Sequence, residues 1–254
     1  MLGDKIIRYA VLSSTNDEAK ARSRVLPDGS VITALRQSAG RGRQGRVWES
    51  DSYGGLYFSI ILRPHIPAAA SPSLALAAGI AARRAIAEVP SLDPLLKWPN
   101  DLLINGKKIC GVLIEARAPA AQSPTFSAQG SVELICGIGI NVNNDGFSRG
   151  ISGKAASLFT EKGIKYSLDE VMYAALRHFD DVYNVWLGSG FAALKDEYAA
   201  NCVHFRGSRA VSVRNGEGTL CSGYAEGVAG DGGLIVTTET GERKTITSGE
   251  VSIR

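Results

Sequence analysis

Four cysteines, three histidines and two methionines are all that the 254-residue chain offers in the way of soft or imidazole ligands. Cys110, Cys136, Cys202 and Cys221 form no Cys-x-x-Cys pair and the histidines stand apart at 65, 178 and 204, so zinc spacing is absent. Cys202 and His204 are close enough in sequence to chelate, but the expected arrangement is a buried thiol near a surface imidazole, with all four cysteines reduced and structural. Charge of one sign is also lacking: Lys plus Arg less Asp plus Glu is 28 − 25 = +3, no footprint for nucleic acid. The most apolar run, Leu74 to Val89, is broken by Arg83 and Arg84 well before the ~20 residues a membrane span needs. Asp4, Lys5 and Arg8 interrupt the N-terminus, which excludes the apolar core of a signal peptide, so the expected setting is cytoplasmic with no membrane contact. What remains is ordinary globular composition, 44% hydrophobic and 21% charged, enough for a large domain and a small one.

The pattern predicts an α+β chain. Lys5 to Leu12 reads as a strand feeding a capped helix from Ser14 to about Val25, and Val31 to Leu35 and Leu56 to Leu62 read as strands separated by a polar, Gly-rich loop. Ser73 to Val89 is a long Ala-rich helix. Leu95 to Trp98 is extended, Leu102 to Ile104 and Ile109 to Glu115 form a hairpin about Asn105-Gly106, and Val132 to Val142 is a further strand. The segment Ala118 to Gln129 reads as a mobile connection. Ser167 with Glu170 signals a capping box ahead of a helix to about Leu187, and a shorter helix covers Phe191 to Ala200. From Phe205 onward the texture changes, with 10 of the 29 glycines between 207 and 249 and short alternating apolar runs, so residues 1–204 and 205–254 are expected to be separate domains, the second all-β. Gly230-Asp231-Gly232-Gly233 is a tight turn between two of its strands.

Gly40-Arg41-Gly42-Arg43-Gln44-Gly45 spells the dinucleotide fingerprint, but no helix opens inside it and no acid follows about 20 residues on. Arg41, Arg43 and Arg46 suit an anion: guanidinium forks and backbone N–H groups can wrap a phosphate, although such a loop alone is equally a solvated basic turn. Lys97-Trp98-Pro99-Asn100-Asp101 carries a turn and two short polar side chains. Lys108 opens an apolar strand in which Gly111 permits close approach, and Gly137-Ile138-Gly139-Ile140-Asn141 leaves one strand face bare for a thin ligand or for close packing.

Taken in order, Ser14-Thr15-Asn16, Gln37-Ser38-Ala39-Gly40-Arg41-Gly42-Arg43-Gln44-Gly45-Arg46 with Trp48, Lys97-Trp98-Pro99-Asn100-Asp101, Lys108-x-x-Gly111, Gly137-x-Gly139-x-Asn141, Ala156-Ser157-Leu158 and Gly249-Glu250-Val251-Ser252-Ile253-Arg254 resemble biotin protein ligases over essentially the whole chain. The resemblance implies a mixed-sheet catalytic domain related to class II aminoacyl-tRNA synthetases, followed by a small SH3-like β-barrel. It implies biotin and ATP as substrates, Mg²⁺ with the ATP, a biotin carboxyl carrier protein domain as lysine acceptor, and a homodimer as one possible assembly. Because 13 residues precede Ser14, it implies the type without an N-terminal DNA-binding domain and no specific DNA partner.

Biotin would first attack ATP to give biotinyl-5′-AMP, then pass to a lysine amine. A carboxylate with a pKa of ~4.3 is ionised at neutral pH, so the first step needs cations rather than a base. By resemblance, Lys108 and Arg43 are the catalytic pair; Ser14, Thr15, Gln37, Gly40, Arg41, Lys108 and Gly111 hold biotin. Arg41, Arg43, Arg46, Trp48, Asn100, Lys108, Asn141, Glu250 and Arg254 hold ATP and adenylate, with Trp48 on the adenine and Asp101 as metal ligand. The base of the transfer step stays open between a carboxylate, the adenylate and water. Two other readings stand beside this one: a lipoate ligase or octanoyltransferase, and a nucleic-acid-binding regulatory module.

Overall fold

The computed structural model describes residues 2–117, 132–207, 210–215 and 218–253; the connection expected from Ala118 to Gln129, and Arg254, lie outside the described residues. Strand β1 (Ile6–Leu12) leads into helix α1 (Thr15–Arg22), whose return lets β2 (Val31–Gln37) pair in parallel with β1. A parallel pair requires such a crossover. After β3 (Gly55–Leu62) come α2 (Leu74–Glu88), β4 (Leu95–Lys97), β5 (Asp101–Ile104), β6 (Lys107–Arg117) and β7 (Glu133–Asn141), giving a seven-stranded mixed sheet in the order β1-β2-β3-β7-β6-β5-β4. Helices α3 (Leu158–Lys162), α4 (Leu168–Ser189) and α5 (Lys195–Ala200) follow. Strands β8 (Ala210–Asn215), β9 (Gly218–Val228), β10 (Leu234–Thr238), β11 (Arg243–Ile246) and β12 (Glu250–Ile253) then make a separate antiparallel sheet in the order β11-β10-β9-β8-β12. Among the described residues no helix is long and apolar enough to cross a membrane.

The two faces of the large sheet are covered unequally, and the site follows from that. Strand alternation sends Leu56, Phe58 and Ile60 of β3 and Cys136, Ile138 and Ile140 of β7 toward α2 and α4, where they meet Ala77, Ala81, Phe179 and Trp186. Each such aliphatic or aromatic side chain contributes ~1.5–3 kcal/mol by leaving water. On the opposite face Ile32, Ile61 and Ile135 pack under Ala19 of α1. Helix α1 has eight residues and so spans only ~12 Å, reaching as far as Gly137. The stretch beyond it, with Tyr57, Gly111 and Gly139, is left without a helix.

The small sheet is fastened to the large one through the segment before β5. Trp98 is 1% exposed and its indole N–H donates to the Gly232 carbonyl at 2.9 Å, while Val211, Val213 and Val251 extend the main core. The turn itself closes by Ala229 N–H to Gly233 O and by Gly233 N–H to the Asp231 carboxylate.

Several local expectations are corrected. Helix α1 ends at Arg22, not Val25, since Ser23 turns its hydroxyl onto the Lys20 carbonyl. At Ser167 only half of the capping box forms, and the reciprocal box is at Ser157 with Thr160. The helix expected over Phe191 to Ala200 is broken into a 3-10 turn at Phe191–Ala193 and α5. All four cysteines are free and buried, but His204 is no surface imidazole: it is 0% exposed, beside the chain that carries Leu96 and Trp98. No group of three or more His, Cys, Asp and Glu gathers there or elsewhere among the described residues.

Burial, helped by the Lys97 charge, pushes the His204 pKa down from 6.5 to about 4. The folded chain therefore binds fewer protons than the unfolded chain between those values, so stability falls as pH drops from 6.5 to 4. The loss expected from this group is about 3 kcal/mol, and His204→Phe should remove that part of the fall in unfolding free energy, read from urea denaturation, over the same interval.

Candidate functional site

A cavity of about 190 Å³ lies on the uncovered face, bounded by the start of α1, the hairpin at residues 40–48, the turn from Lys97 to Asp101, and Gly249 to Ser252 at β12. Its floor is β6 and β7, where Gly111 stands opposite Gly139 in the register. A Cβ built on Gly111 would come within 2.8 Å of the Trp48 ring, and one on Gly139 within 3.0 Å. The bare strand face thus accepts a flat group, and the group now lying on it is the indole of Trp48. Lys108 Nζ sits 5.0 Å from the centre of the same ring.

The hairpin is held by Trp48 N–H to Gly40 O at 3.0 Å, Gly42 N–H to Arg46 O at 2.7 Å and a bridge between Arg41 and Val47. Its tip, Arg43-Gln44-Gly45, has φ of +56° at Gln44 and +73° at Gly45, a turn rather than a helix start, which removes the dinucleotide reading. Gly40 does not line the cavity. It is needed where it is because a Cβ there would strike Ser50 Oγ and the Trp48 carbonyl.

The structure brings Arg41, Arg43, Arg46 and Lys108 to the lining of one cavity, and it gives three of them a carboxylate. Arg41 pairs with Asp17 at 2.5 Å and Glu115 at 3.4 Å, Lys108 with Asp101 at 2.6 Å, and Arg46 with Glu250. Arg43 makes no ion pair among the described residues. Its guanidinium reaches only the Asn100 amide oxygen at 3.5 Å, and burial, opposed by the Asp101 charge, lowers its pKa. Asn100 is held by its own amide, which donates to the Val112 carbonyl at 2.8 Å. Asn141 does not line the cavity; its amide is spent on the carbonyls of Ala156 at 3.0 Å and Lys108 at 3.4 Å, tying β7 to the strand end that carries the lysine. Glu250 lines the cavity, and Arg254 lies outside the described residues.

Beneath the other end, Ser14, Thr15 and Gln37 all line the cavity and are all buried. Gln37 Oε1 accepts from Thr15 N–H at 2.8 Å and from Thr15 Oγ1 at 3.1 Å. Sequence reasoning missed what lies under them. Ser59 donates toward Asn16 Oδ1 at 2.6 Å and lies 2.8 Å from Thr15 Oγ1, and Asn16 Nδ2 donates to Glu115 at 2.7 Å. Lys20 also donates to Glu115, at 2.5 Å. Burial raises the Glu115 pKa, but the Lys20 and Asn16 hydrogen bonds outweigh it and hold the carboxyl below its usual range. The signals were present: Ser59 is a small polar side chain in the fully buried strand β3, and Glu115 is an acid in phase with Gly111 and Leu113. Tyr57, also on the lining, has its pKa raised to about 12 by burial and takes no part as an acid or base near neutrality.

Gly137 reports on this network, because a Cβ there would fall 2.2 Å from Asn16 Oδ1. Gly137→Ala should cost about 1–3 kcal/mol in chemical denaturation, whereas Gly153→Ala, with nothing within 4 Å, should stay within about 0.5 kcal/mol of wild type.

Comparison with known proteins agrees with this geometry. Residues 9–128 match the Biotin/lipoate A/B protein ligase family and residues 209–254 the Biotin protein ligase C terminal domain. The chain is 34% identical over 248 residues to the Bifunctional ligase/repressor BirA of Bacillus subtilis, covering 96% of this chain and 73% of that protein. It is 36% identical over 139 residues to a Biotin--[acetyl-CoA-carboxylase] ligase of Mycobacterium tuberculosis, covering 52% of this chain and 47% of that one. Among solved structures, the biotin protein ligase from Aquifex aeolicus in complex with biotin and ATP superposes with a TM-score of 0.83 at 30% identity, over 99% of both chains.

Proposed function

We infer the reaction from the premise that this chain belongs to the biotin protein ligase family: it activates biotin with ATP to biotinyl-5′-AMP and transfers the biotinyl group to a lysine of a biotin carboxyl carrier protein domain. The observation that carries the reading is the gathering of Arg41, Arg43, Arg46, Lys97 and Lys108 around a cavity whose floor is bare backbone and which also presents the neutral polar side chains of Ser14, Thr15 and Gln37. The bicyclic ring of biotin, apolar with a ureido group that both donates and accepts, suits the end lined by Ser14, Thr15 and Gln37. The phosphates of ATP suit the cationic wall, and Trp48 supplies a flat indole for adenine.

In the first step the ionised biotin carboxylate attacks the α-phosphorus, an acyl–phosphate bond forms and pyrophosphate leaves. Two anions must meet, so the barrier falls chiefly by placing positive charge beside the transferring oxygens. Arg41, Arg46 and Lys108 exchange a protein carboxylate for a phosphate. Arg43 has no ion pair to give up among the described residues, and a half-buried guanidinium held only by the Asn100 amide oxygen, with Asp101 near it, is already organised for an anion. The carboxylate of Asp101 and the amide oxygen of Asn100, adjacent on the same wall, suit a Mg²⁺ ion that takes most of its oxygen ligands from phosphate and water. Bound there, Mg²⁺ would offset charge on the phosphate oxygens. In the second step the acceptor amine attacks the acyl carbon and AMP departs. Water competes with that amine for the anhydride, and the hairpin that carries Arg43 lies where it shields the adenylate.

Exchange of labelled pyrophosphate into ATP tests the reading: it should require biotin, and exchange equal with and without biotin would refute it. Lys108→Gln should slow single-turnover adenylation about 10²- to 10³-fold with little change in biotin affinity.

Arg43→Gln separates binding from folding. Since no ion pair is lost, the urea midpoint should hold or rise, while retention of biotinyl-5′-AMP should weaken about 10- to 150-fold, read as a faster off-rate and as labelling of bystander lysines.

A further inference from the structure

The polar groups under the biotin end form one chain of hydrogen bonds whose direction is fixed at one end by Glu115 and at the other by Gln37. Glu115 can only accept, so the Asn16 amide must turn its nitrogen toward Glu115 and its oxygen toward Ser59. Asn16 Oδ1 can only accept in turn, which commits the Ser59 proton to it. The Thr15 hydroxyl proton then goes to Gln37 Oε1 or to Ser59 Oγ, both within 3.1 Å. Gln37 cannot reverse the order, because Thr15 N–H holds its oxygen at 2.8 Å and its amide nitrogen faces Ser50 Oγ at 3.2 Å. In every arrangement that satisfies these bonds, Thr15 Oγ1 turns lone pairs, not a proton, to the cavity.

We propose that Glu115 is a positioning residue that sets biotin affinity: by accepting from Asn16 it commits the Ser59 proton to Asn16 and away from Thr15, so that Thr15 Oγ1, whose own proton is held by Gln37, keeps its lone pairs free to accept a ureido N–H. The Asn16–Ser59–Thr15–Gln37 chain is 0–7% exposed at all four residues, so water does not rescue a wrongly directed bond. Lys20 and Arg41 offset the Glu115 charge, and Gly137 gives the Asn16 amide the room to lie flat on the sheet. This inference rests on the reading of the cavity as a biotin site.

The test is the KM for biotin and for ATP in pyrophosphate exchange, measured for wild type, Glu115→Gln, Asn16→Asp and the double variant. Glu115→Gln lets the Asn16 amide flip and also frees Arg41 of one of its two carboxylates, so the KM for biotin should rise about tenfold or more while the KM for ATP does not rise. Asn16→Asp alone sets two carboxylates face to face and should raise the biotin KM further. In the double variant the amide introduced on β6 donates and the carboxylate introduced on α1 accepts from both sides, so the direction toward Ser59 is restored and the biotin KM should return to within about threefold of wild type. A merely structural role for Glu115 would show a lowered urea midpoint and no recovery in the double variant, and that result overturns the proposal. So does a wild-type biotin KM in Glu115→Gln. Should Asn16→Asp not fold, Ser59→Ala is read instead: it should raise the biotin KM, and adding Glu115→Gln should raise it no further, whereas independent, multiplying effects would sink the idea. Wild type inactive with biotin would overturn the proposed function itself, an outcome distinct from any of these.

Discussion

The bare backbone where β6 meets β7 is the constraint on which the site depends. Gly111 and Gly139 face each other across the pair, Gly137 lies one alternation further along, and all three point away from the main core. With side chains at these positions the sheet would present an ordinary surface, and a second layer of helix would be the natural way to cover it. Without them, groups can lie directly on the strands: the Trp48 indole at Gly111 and Gly139, the Asn16 amide at Gly137. A planar surface of peptide units close beneath a ligand keeps its ring aligned and admits little water, and the charged groups at its edge gain strength from that exclusion.

Around this floor the cations are stored against carboxylates rather than left bare. Pairs such as Arg41 with Asp17 are substantially exposed, and exposed pairs contribute only about 0–1 kcal/mol, so little opposes their release when a phosphate arrives. A bidentate guanidinium–phosphate contact in a partly dry cavity exceeds that easily. The arrangement eases the repulsion that neighbouring positive charges would bring to the folded chain, yet leaves Arg43 without an ion pair among the described residues. The Asn100 amide oxygen is a weak substitute for an anion, and it keeps Arg43 aimed without satisfying it.

Much of this was legible in the sequence, for reasons that differ by element. Asn105-Gly106 marked its hairpin because both residues adopt positive φ, +50° and +76°, which few other pairs tolerate. The unbroken apolar run of β3 and the Ala-rich repeat of α2 marked their strand and helix, because a strand covered on both faces and a helix packed closely on a sheet need those patterns. The motif residues Arg41, Arg43, Arg46, Trp48 and Lys108 do converge on one cavity, whereas Asn141 and Gly40 act behind its wall, one as a tie and one as the clearance for a hairpin. What escaped was tertiary. Spacing says nothing of Glu115 reaching Asn16 across 99 positions, and the imidazole of His204 read as exposed because nothing local announces burial between two sheets. The strand β12 was present as a motif but not as a strand, since four residues carry no period.

The small sheet gains its meaning from the same geometry. Gly249 to Ser252 close one side of the cavity, and Glu250 neutralises Arg46 from there, so a group in the last strand belongs to the cavity lining. The sheet is held in position by Trp98, whose indole N–H is committed to Gly232 while its backbone leads into Asn100 and Asp101. One short segment therefore fixes three things at once: the seat of the second sheet, the amide that aims Arg43, and the carboxylate that holds Lys108. Displacing Trp98 would shift donor and counter-ion together. That is a physical reason for a bulky buried aromatic to stand beside small polar residues at the edge of an otherwise open site.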